Sequence, residues 1–212
     1  SRDSPVTVAI LSDIHANIEA LTTVLEHAES KGITRIVCLG DIIGYGPNPR
    51  ECLKLLFRSE VAIMGNHEEA VMFYGEDFNP KARAALEWTR GQIQGQGEGA
   101  ALLWDFLDAL QPAKCDERAM FAHGSPRDPV REYLLPRDAR NGAKMRANFE
   151  RMERGVCFVG HSHVPGVFFE DGRYHRPKDT EGPYVLGEGG ERALVNVGSV
   201  GQPRDGDPRG CY

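Results

Sequence analysis

Apolar positions along the chain alternate between short continuous runs and helical spacings. Val6–Leu11 reads as a buried strand. Asn17–Ser30 carries Ile18, Leu21, Leu25 and Ala28 at helical spacing, and Gly32 stands where a helix-ending glycine belongs. Arg35–Leu39 is a second strand. Asn48-Pro49 then offers a cap and a first-turn proline for a helix running to about Arg58. Val61–Met64 is a third strand. This β-α-β-α-β alternation implies parallel strands joined by crossover helices.

The middle of the chain reads differently. Asn79-Pro80 opens a helix through Trp88, and the stretch GQIQGQGEGA is expected to be a flexible connection. Ala100–Leu110 places Leu103, Trp104, Leu107 and Leu110 on one helical face, a stripe that belongs in a core. The two helices form an insertion at about residues 72–112, ahead of a strand at Ala119–Ala122. Arg127 to Arg154 is locally basic, with eight Lys/Arg against five acids, and reads as a solvated helix and loop face. Beyond Val156 the pattern turns to β. VCFVG is a strand, VFFEDGRYH a hairpin turning at Asp171-Gly172, and Ala193–Val197 a further strand. No repeat or linker divides the chain, so residues 1–212 are expected to form a single domain.

Charge and composition narrow the function classes. The formal charge of −6 argues against a broad electrostatic footprint for nucleic acid. Five cysteines without CxxC spacing, two of them (Cys38 and Cys157) inside apolar runs, suit a reducing cytoplasm better than a disulfide framework. No apolar stretch approaches the roughly 20 residues of a membrane span, and no charged-then-apolar leader is visible. Neither secretion nor membrane insertion is therefore expected.

The chemistry sits just past the apolar runs. Asp13 and His15 follow VAIL, Asp41 follows IVCLG, Asn66 and His67 follow VAIMG, His123 follows MFA, and His161 and His163 follow CFVG. Five of the seven histidines lie at such strand ends. In open α/β sheets, ligands bind beyond the carboxyl ends of strands, where residues distant in sequence converge. Asp13 and His15, two apart, are expected to leave an extended segment on the same side. Mixed Asp, His and Asn donors without cysteine favour a divalent ion such as Mn, Fe, Co, Ni or Zn. So many candidate ligands are more than one ion can take while keeping a water. They suit two ions sharing a carboxylate, with Asp41 the natural bridge. Taken singly, each residue has a plainer explanation: a hydrogen-bonded histidine, a turn acid, or Asn66 as a helix cap. Their joint arrangement does not.

The ordered motifs SDIH, GDIIG, GNHE, AHGS and GHSH resemble those of the calcineurin-like metallophosphoesterases, over about residues 6 to 200. GDIIGYGPNP and VGSVGQPRDGDP resemble the compact bacterial branch of that family. The resemblance implies a four-layer α/β/β/α sandwich of two mixed sheets, with a dimetal centre at one edge. It also implies that Asp13, His15, Asp41 and His163 hold one ion, and Asp41, Asn66, His123 and His161 the other. His67 would be the histidine facing the leaving group, serving as general acid while a hydroxide held between the ions attacks phosphorus. The substrate implied is a small phosphodiester, phosphomonoester or nucleotide. Many relatives carry an acid three residues after the bridging Asp that orients this histidine. Gly44 occupies that position here, so what orients His67 is an open question. The segment GSVGQPRDGDP has two readings. It is either a turn cluster, or a loop edging the site with Gly198 and Ser199 near the metals and Arg204 near phosphate. Two other functions compete: a non-catalytic interaction module on the same fold, and a nuclease. The complete ligand set weighs against the first and the acidic balance against the second.

Overall fold

The computed structural model describes residues 7–73, 78–95, 99–180, 183–187 and 190–212. Strands β1 (Val8–Leu11), β2 (Arg35–Cys38) and β3 (Val61–Ala62) lie side by side in chain order, parallel throughout. Helices α1 (Ile18–Ser30) and α2 (Pro49–Leu56) are the crossovers between them. Asn17 caps α1 by accepting from the Ala20 N–H at 3.1 Å, and Gly32 ends it in the left-handed region at φ 73°. Asn48 makes no comparable side-chain cap on α2; Pro49 alone pre-sets its first turn. Helix α3 (Asn66–Phe73) follows the third strand directly. Helices α4 (Pro80–Gln94) and α5 (Ala100–Asp108) then pack with the first three in a common layer.

The second sheet is mixed and contains β4 (Ala113–Cys115), β5 (Met120–Ala122), β6 (Val156–Val159), β7 (Gly166–Phe169), β8 (Tyr174–His175) and β9 (Ala193–Asn196). Its order is β4-β5-β6-β9-β7-β8, with β5, β6 and β9 parallel and the other neighbours antiparallel. Helix α6 (Gly142–Arg151) lies between β5 and β6 in the chain.

Period-two alternation sorts the side chains into four layers. Ile36 and Cys38 of β2 face the helices α1 to α5, while Val37 and Leu39 face the second sheet. There they meet Phe121 of β5 and Phe158 of β6. Met120, Ala122, Cys157 and Val159 point the other way, onto Met145 and Phe149 of α6. The order is therefore α/β/β/α, and each buried Leu, Ile or Phe contributes about 1.5–3 kcal/mol.

Local departures from the sequence reading have local causes. Helix α4 runs through Gly91 to Gln94, into the stretch expected to be a flexible connection, because Ile93 is fully buried against the helical layer. β3 is shorter than expected: the Ile63 N–H still donates to Cys38 C=O at 3.0 Å, but the Met64 N–H turns away to Gln111 C=O at 2.9 Å. β4, an edge strand of only three residues, had no apolar run to announce it. The five cysteines are all unpaired. Among the described residues no helix is long and apolar enough to cross a membrane.

Candidate metal centre

β1 ends at Leu11, and Asp13, His15 and Ala16 all take left-handed backbone angles, with φ of 53°, 49° and 54°. Asp41, His161 and His163 do the same at 51°, 64° and 57°. The period-two argument for Asp13 and His15 is thus wrong in its cause. Left-handed turns, rare for residues with a side chain and concentrated at functional sites, aim these groups inward. Hydrogen bonds hold the turns against one another: Asp13 N–H to Gly40 C=O at 3.1 Å, His15 N–H to Asp41 C=O at 2.9 Å, and Ala16 N–H to Ile42 C=O at 2.8 Å. Gly40, at φ 90°, lies so close to the next loop that a Cβ there would meet the Gly65 nitrogen at 2.4 Å.

The sequence-predicted ligands converge. Asp13, His15 and His163 form one group, and Asp41, His123 and His161 another; within each, the donor atoms lie within 4.8 Å of one another. His15, Asp41 and His67 form a third group of the same tightness between them. Asn66 joins the second group, its Oδ1 lying 3.2 Å from His123 Nε2. Asp41 stands at the junction: its Oδ2 is 3.7 Å from His15 Nε2 and 3.3 Å from His123 Nε2.

Whether these residues suit cations is decided by their hydrogen bonds. His15 Nδ1 donates to Ile43 C=O at 3.3 Å, His163 Nδ1 to Gln202 C=O at 2.5 Å, His123 Nδ1 to Leu39 C=O at 2.8 Å, and His161 Nε2 to Arg131 C=O at 3.1 Å. A carbonyl only accepts, so each ring spends its N–H outward and turns the other nitrogen, a bare lone pair, inward. Two such nitrogens face each other at 3.2 Å (His15 and His163) and two more at 3.1 Å (His123 and His161). The carboxylates divide likewise. Asp13 Oδ2 accepts the His161 N–H at 2.9 Å, and its buried Oδ1 has no hydrogen-bond donor. Asp41 Oδ1 accepts the His67 N–H at 2.9 Å, leaving Oδ2 to the junction. Lone pairs crowded together in a buried place repel unless positive charge lies among them, so this donor set fits divalent cations.

Charge states follow the same geometry. Burial lowers the His15 imidazole to about 3 and the His161 imidazole to about 4, which keeps both neutral. Burial also opposes charge on His123, but the Asp41 carboxylate outweighs it and lifts this imidazole to about 9. Its inward Nε2, 3.3 Å from Asp41 Oδ2, is therefore a bare lone pair only once a cation displaces the proton that Asp41 otherwise draws there. For Asp13, burial is outweighed by His163 and His123, and the carboxyl is held at about 2. Asp41 lies well below the usual carboxylate range because His123 and His67 outweigh its burial.

His67 is 3% exposed and lies against His15, Tyr45 and Phe78, with ring centroids at 4.7, 4.6 and 5.3 Å. Its Nδ1 is buried without a hydrogen-bond partner, so Nε2 is the nitrogen left to serve the cleft. A Cβ on Gly44 would stand 2.0 Å from that Nδ1, so position 44 has no room for an orienting acid while the ring stays where it is.

The groups open into a cleft of about 280 Å³, lined also by Tyr45, Phe78, Arg131, Tyr133 and Arg204. Arg204 lies at the rim of the cleft, where its guanidinium donates to Gln202 Oε1 at 2.6 Å. Ser199 lies against the loop that carries Asp13, behind the residues lining the cleft, and Gly198 precedes it. The Ser199 hydroxyl is fully buried, donating to Asp13 C=O at 2.7 Å and accepting the Gln202 N–H at 2.8 Å, which braces the ligand loops. Gly198 is packed against Pro165 and Cys211. His27 and His175, outside the strand-end pattern, pair with Tyr212 and Tyr184 instead.

Three contributors escaped the sequence reading. Glu68 accepts four backbone N–H groups, from Asp41 at 2.8 Å, Ile42 at 2.8 Å, Ile43 at 3.1 Å and Gly65 at 2.9 Å, and so ties the Asp41 loop to the start of α3. Burial and the Asp41 charge push its carboxyl up to about 7, against the pull of those donors. Its only signal was position, an acid in the first turn of the helix that follows the third strand. Tyr133 stacks on His161 at 3.7 Å, and Arg131 supplies the carbonyl that orients the same imidazole. Neither could be placed from a basic stretch without the fold. Elsewhere in that stretch Arg127 pairs with Glu132 and Lys144 with Asp138.

Residues 6–212 match the calcineurin-like phosphoesterase superfamily domain. The chain belongs to that family. An uncharacterized protein of Methanocaldococcus jannaschii is 36% identical over 219 residues, spanning 97% of this chain and 80% of the relative. The crystal structure of a metallophosphoesterase from Sphaerobacter thermophilus superposes with a TM-score of 0.76 at 39% identity, covering 96% of this chain and 80% of the other. A hypothetical protein from Pyrococcus horikoshii shares the fold at a TM-score of 0.67 and 22% identity, covering 93% and 79%. The phosphoesterase fold, the motif order and a cluster of His and Asp able to hold metal thus occur together in this chain.

Proposed function

We propose that the chain is a phosphoesterase that works with two divalent ions on a small phosphodiester, phosphomonoester or nucleotide. Asp13, His15, Asp41 and His163 would hold one ion, and Asp41, Asn66, His123 and His161 the other. The observation that carries this reading is the Asp41 carboxylate, whose single free oxygen faces both histidine groups, His15 on one side and His123 on the other, each beside a second imidazole nitrogen at 3.2 and 3.1 Å. Ions bound there would polarise phosphoryl oxygens and bring the pKa of a water toward neutrality.

The chain's own residues do the rest. Backbone carbonyls fix each imidazole in one tautomer, so the ligands need little reorganisation. Arg204 at the rim offers charge-assisted hydrogen bonds to phosphoryl oxygens. Tyr45, Phe78 and Tyr133 wall the cleft and restrict water. His67, free of the ligand sets, donates a proton through Nε2 to the departing oxygen as the P–O bond breaks.

The test uses protein stripped of metal and reloaded with Mn, Ni, Fe or Zn, assayed on bis-p-nitrophenyl phosphate and diphenyl phosphate. Reloading should restore turnover. His67→Ala should slow it by about 10²–10⁴-fold with metal still bound, and more on diphenyl phosphate, whose leaving group is the poorer. Equal losses on the two substrates would remove His67 from the acid role, and activity indifferent to metal would sink the whole reading.

A further inference from the structure

Among the described residues no hydrogen bond orients the His67 ring. Its Nδ1 has no partner. The two carboxylates beside it are otherwise committed, Asp41 Oδ1 to the His67 main-chain N–H and Glu68 to four backbone donors. What touches the imidazole is aromatic. Tyr45 lies 4.6 Å from it at an interplanar angle of 59°, Phe78 stands edge-on at 5.3 Å and 83°, and His15 edge-on at 4.7 Å and 70°.

Tyr45 is expensive where it is. Its φ is 61°, a region that bulky side chains rarely occupy, and 42% of it remains exposed, so burial does not explain the conformation. The turn Gly44-Tyr45-Gly46 is pinned by the Gly46 N–H, which donates to His15 C=O at 3.1 Å and Gly44 C=O at 2.8 Å. That turn sets the Tyr45 ring against both His15 and His67. Gly44, at φ 87°, clears the space into which Nδ1 projects.

We propose that Tyr45 is the positioning residue for His67: with no room for an acid at position 44, the phenol ring and Phe78 hold the imidazole by packing. This rests on the reading above that His67 serves the leaving group. A ring held by contacts on its faces and edges keeps its tilt without a hydrogen bond to Nδ1, and aromatic pairs at these spacings favour tilted or edge-on arrangements. The phenol hydroxyl plays no part, so phenylalanine should serve as well. In this role Tyr45, a wall of the cleft, acts on the leaving group through His67.

Tyr45→Asn is the decisive variant, since asparagine tolerates the left-handed turn but supplies no ring. In the metal-loaded enzyme it should fold with a Tm no lower than wild type and with unchanged metal content. Its kcat on diphenyl phosphate should fall by about 10–100-fold with KM held, and the loss on bis-p-nitrophenyl phosphate should be much smaller. Tyr45→Phe should restore turnover. In a His67→Ala background, Tyr45→Asn should add nothing, because both changes remove one function. NMR of the 15N-labelled, zinc-loaded protein should show one His67 ring state in wild type and Tyr45→Phe, and shifted or averaged signals in Tyr45→Asn. A loss in KM rather than kcat, an additive loss without His67, or an unmoved imidazole signal would overturn the assignment and make Tyr45 a substrate contact or a bystander. Should His67→Ala strike both substrates equally, the acid role fails, and the NMR comparison still decides whether Tyr45 holds the ring.

Discussion

Asp41 does two jobs with two oxygens, and the division is visible in its contacts. Oδ1 takes the His67 N–H at 2.9 Å, and Oδ2 faces the nitrogens of His15 and His123. An amide cannot do both, because only one of its two heads accepts. Asp41→Asn should therefore either orphan the His67 N–H or present an NH2 to the junction. Metal analysis should show bound ions falling from two to one or none, with hydrolysis lost alongside. Retention of two ions would show that the bridge lies elsewhere. The left-handed angles at Asp13, His15, Asp41, His161 and His163 tell a related story, since each costs roughly 1–2 kcal/mol for a residue with a side chain. They persist because interloop hydrogen bonds hold them.

At the scale of elements, the site depends on two carboxylates that do not themselves contribute to it. Glu68, on the first turn of α3, gathers four backbone N–H groups from two loops. Glu68→Gln replaces one accepting oxygen with a donor and strands at least one of those groups. The expected cost is about 1–3 kcal/mol in denaturant unfolding. Metal affinity should weaken by roughly 10–100-fold, as it does when support behind a ligand is removed, and a metal titration checks this. Glu132 braces the segment carrying Arg131 by accepting from Ser125 Oγ at 2.6 Å, Arg127 Nε at 2.9 Å and Asn148 Nδ2 at 3.0 Å, with Lys144 Nζ at 4.0 Å. Burial is outweighed by these donors, and its carboxyl drops from 4.5 to about 2. Because the folded value is the lower one, the stabilisation is complete above the ordinary carboxylate range and disappears as pH falls through about 2. The urea midpoints of wild type and Glu132→Gln should thus differ at neutral pH and converge between pH 4.5 and 2. A gap independent of pH would mean that packing, not charge, explains Glu132.

For the whole molecule, ligands from both sheets meet at one place, so bound ions would join the two halves of the sandwich. Ligands that bind only the folded state stabilise it by mass action, by about 2.7 kcal/mol at a hundredfold excess over Kd. For a chain of this size that corresponds to roughly 5–10 °C in Tm, which a chelator should remove and added Mn or Zn restore. A Tm indifferent to chelation would count against ions held between the sheets. What the sequence determined by itself was local in nature: strand and helix periods, the proline and glycine boundaries, and donor residues grouped just after apolar runs. Those signals rest on short-range sterics and burial periodicity, so they named Asp13, His15, Asp41, Asn66, His67, His123, His161 and His163 in advance. Only the tertiary structure decided how those groups point, because left-handed turns at non-glycine residues leave no mark in the pattern and are enforced by contacts between loops. Tertiary structure likewise sent Ser199 inward, extended α4 into the expected loop, and put the Tyr45 ring against His67. Each outcome was set by a neighbour that is distant in the chain.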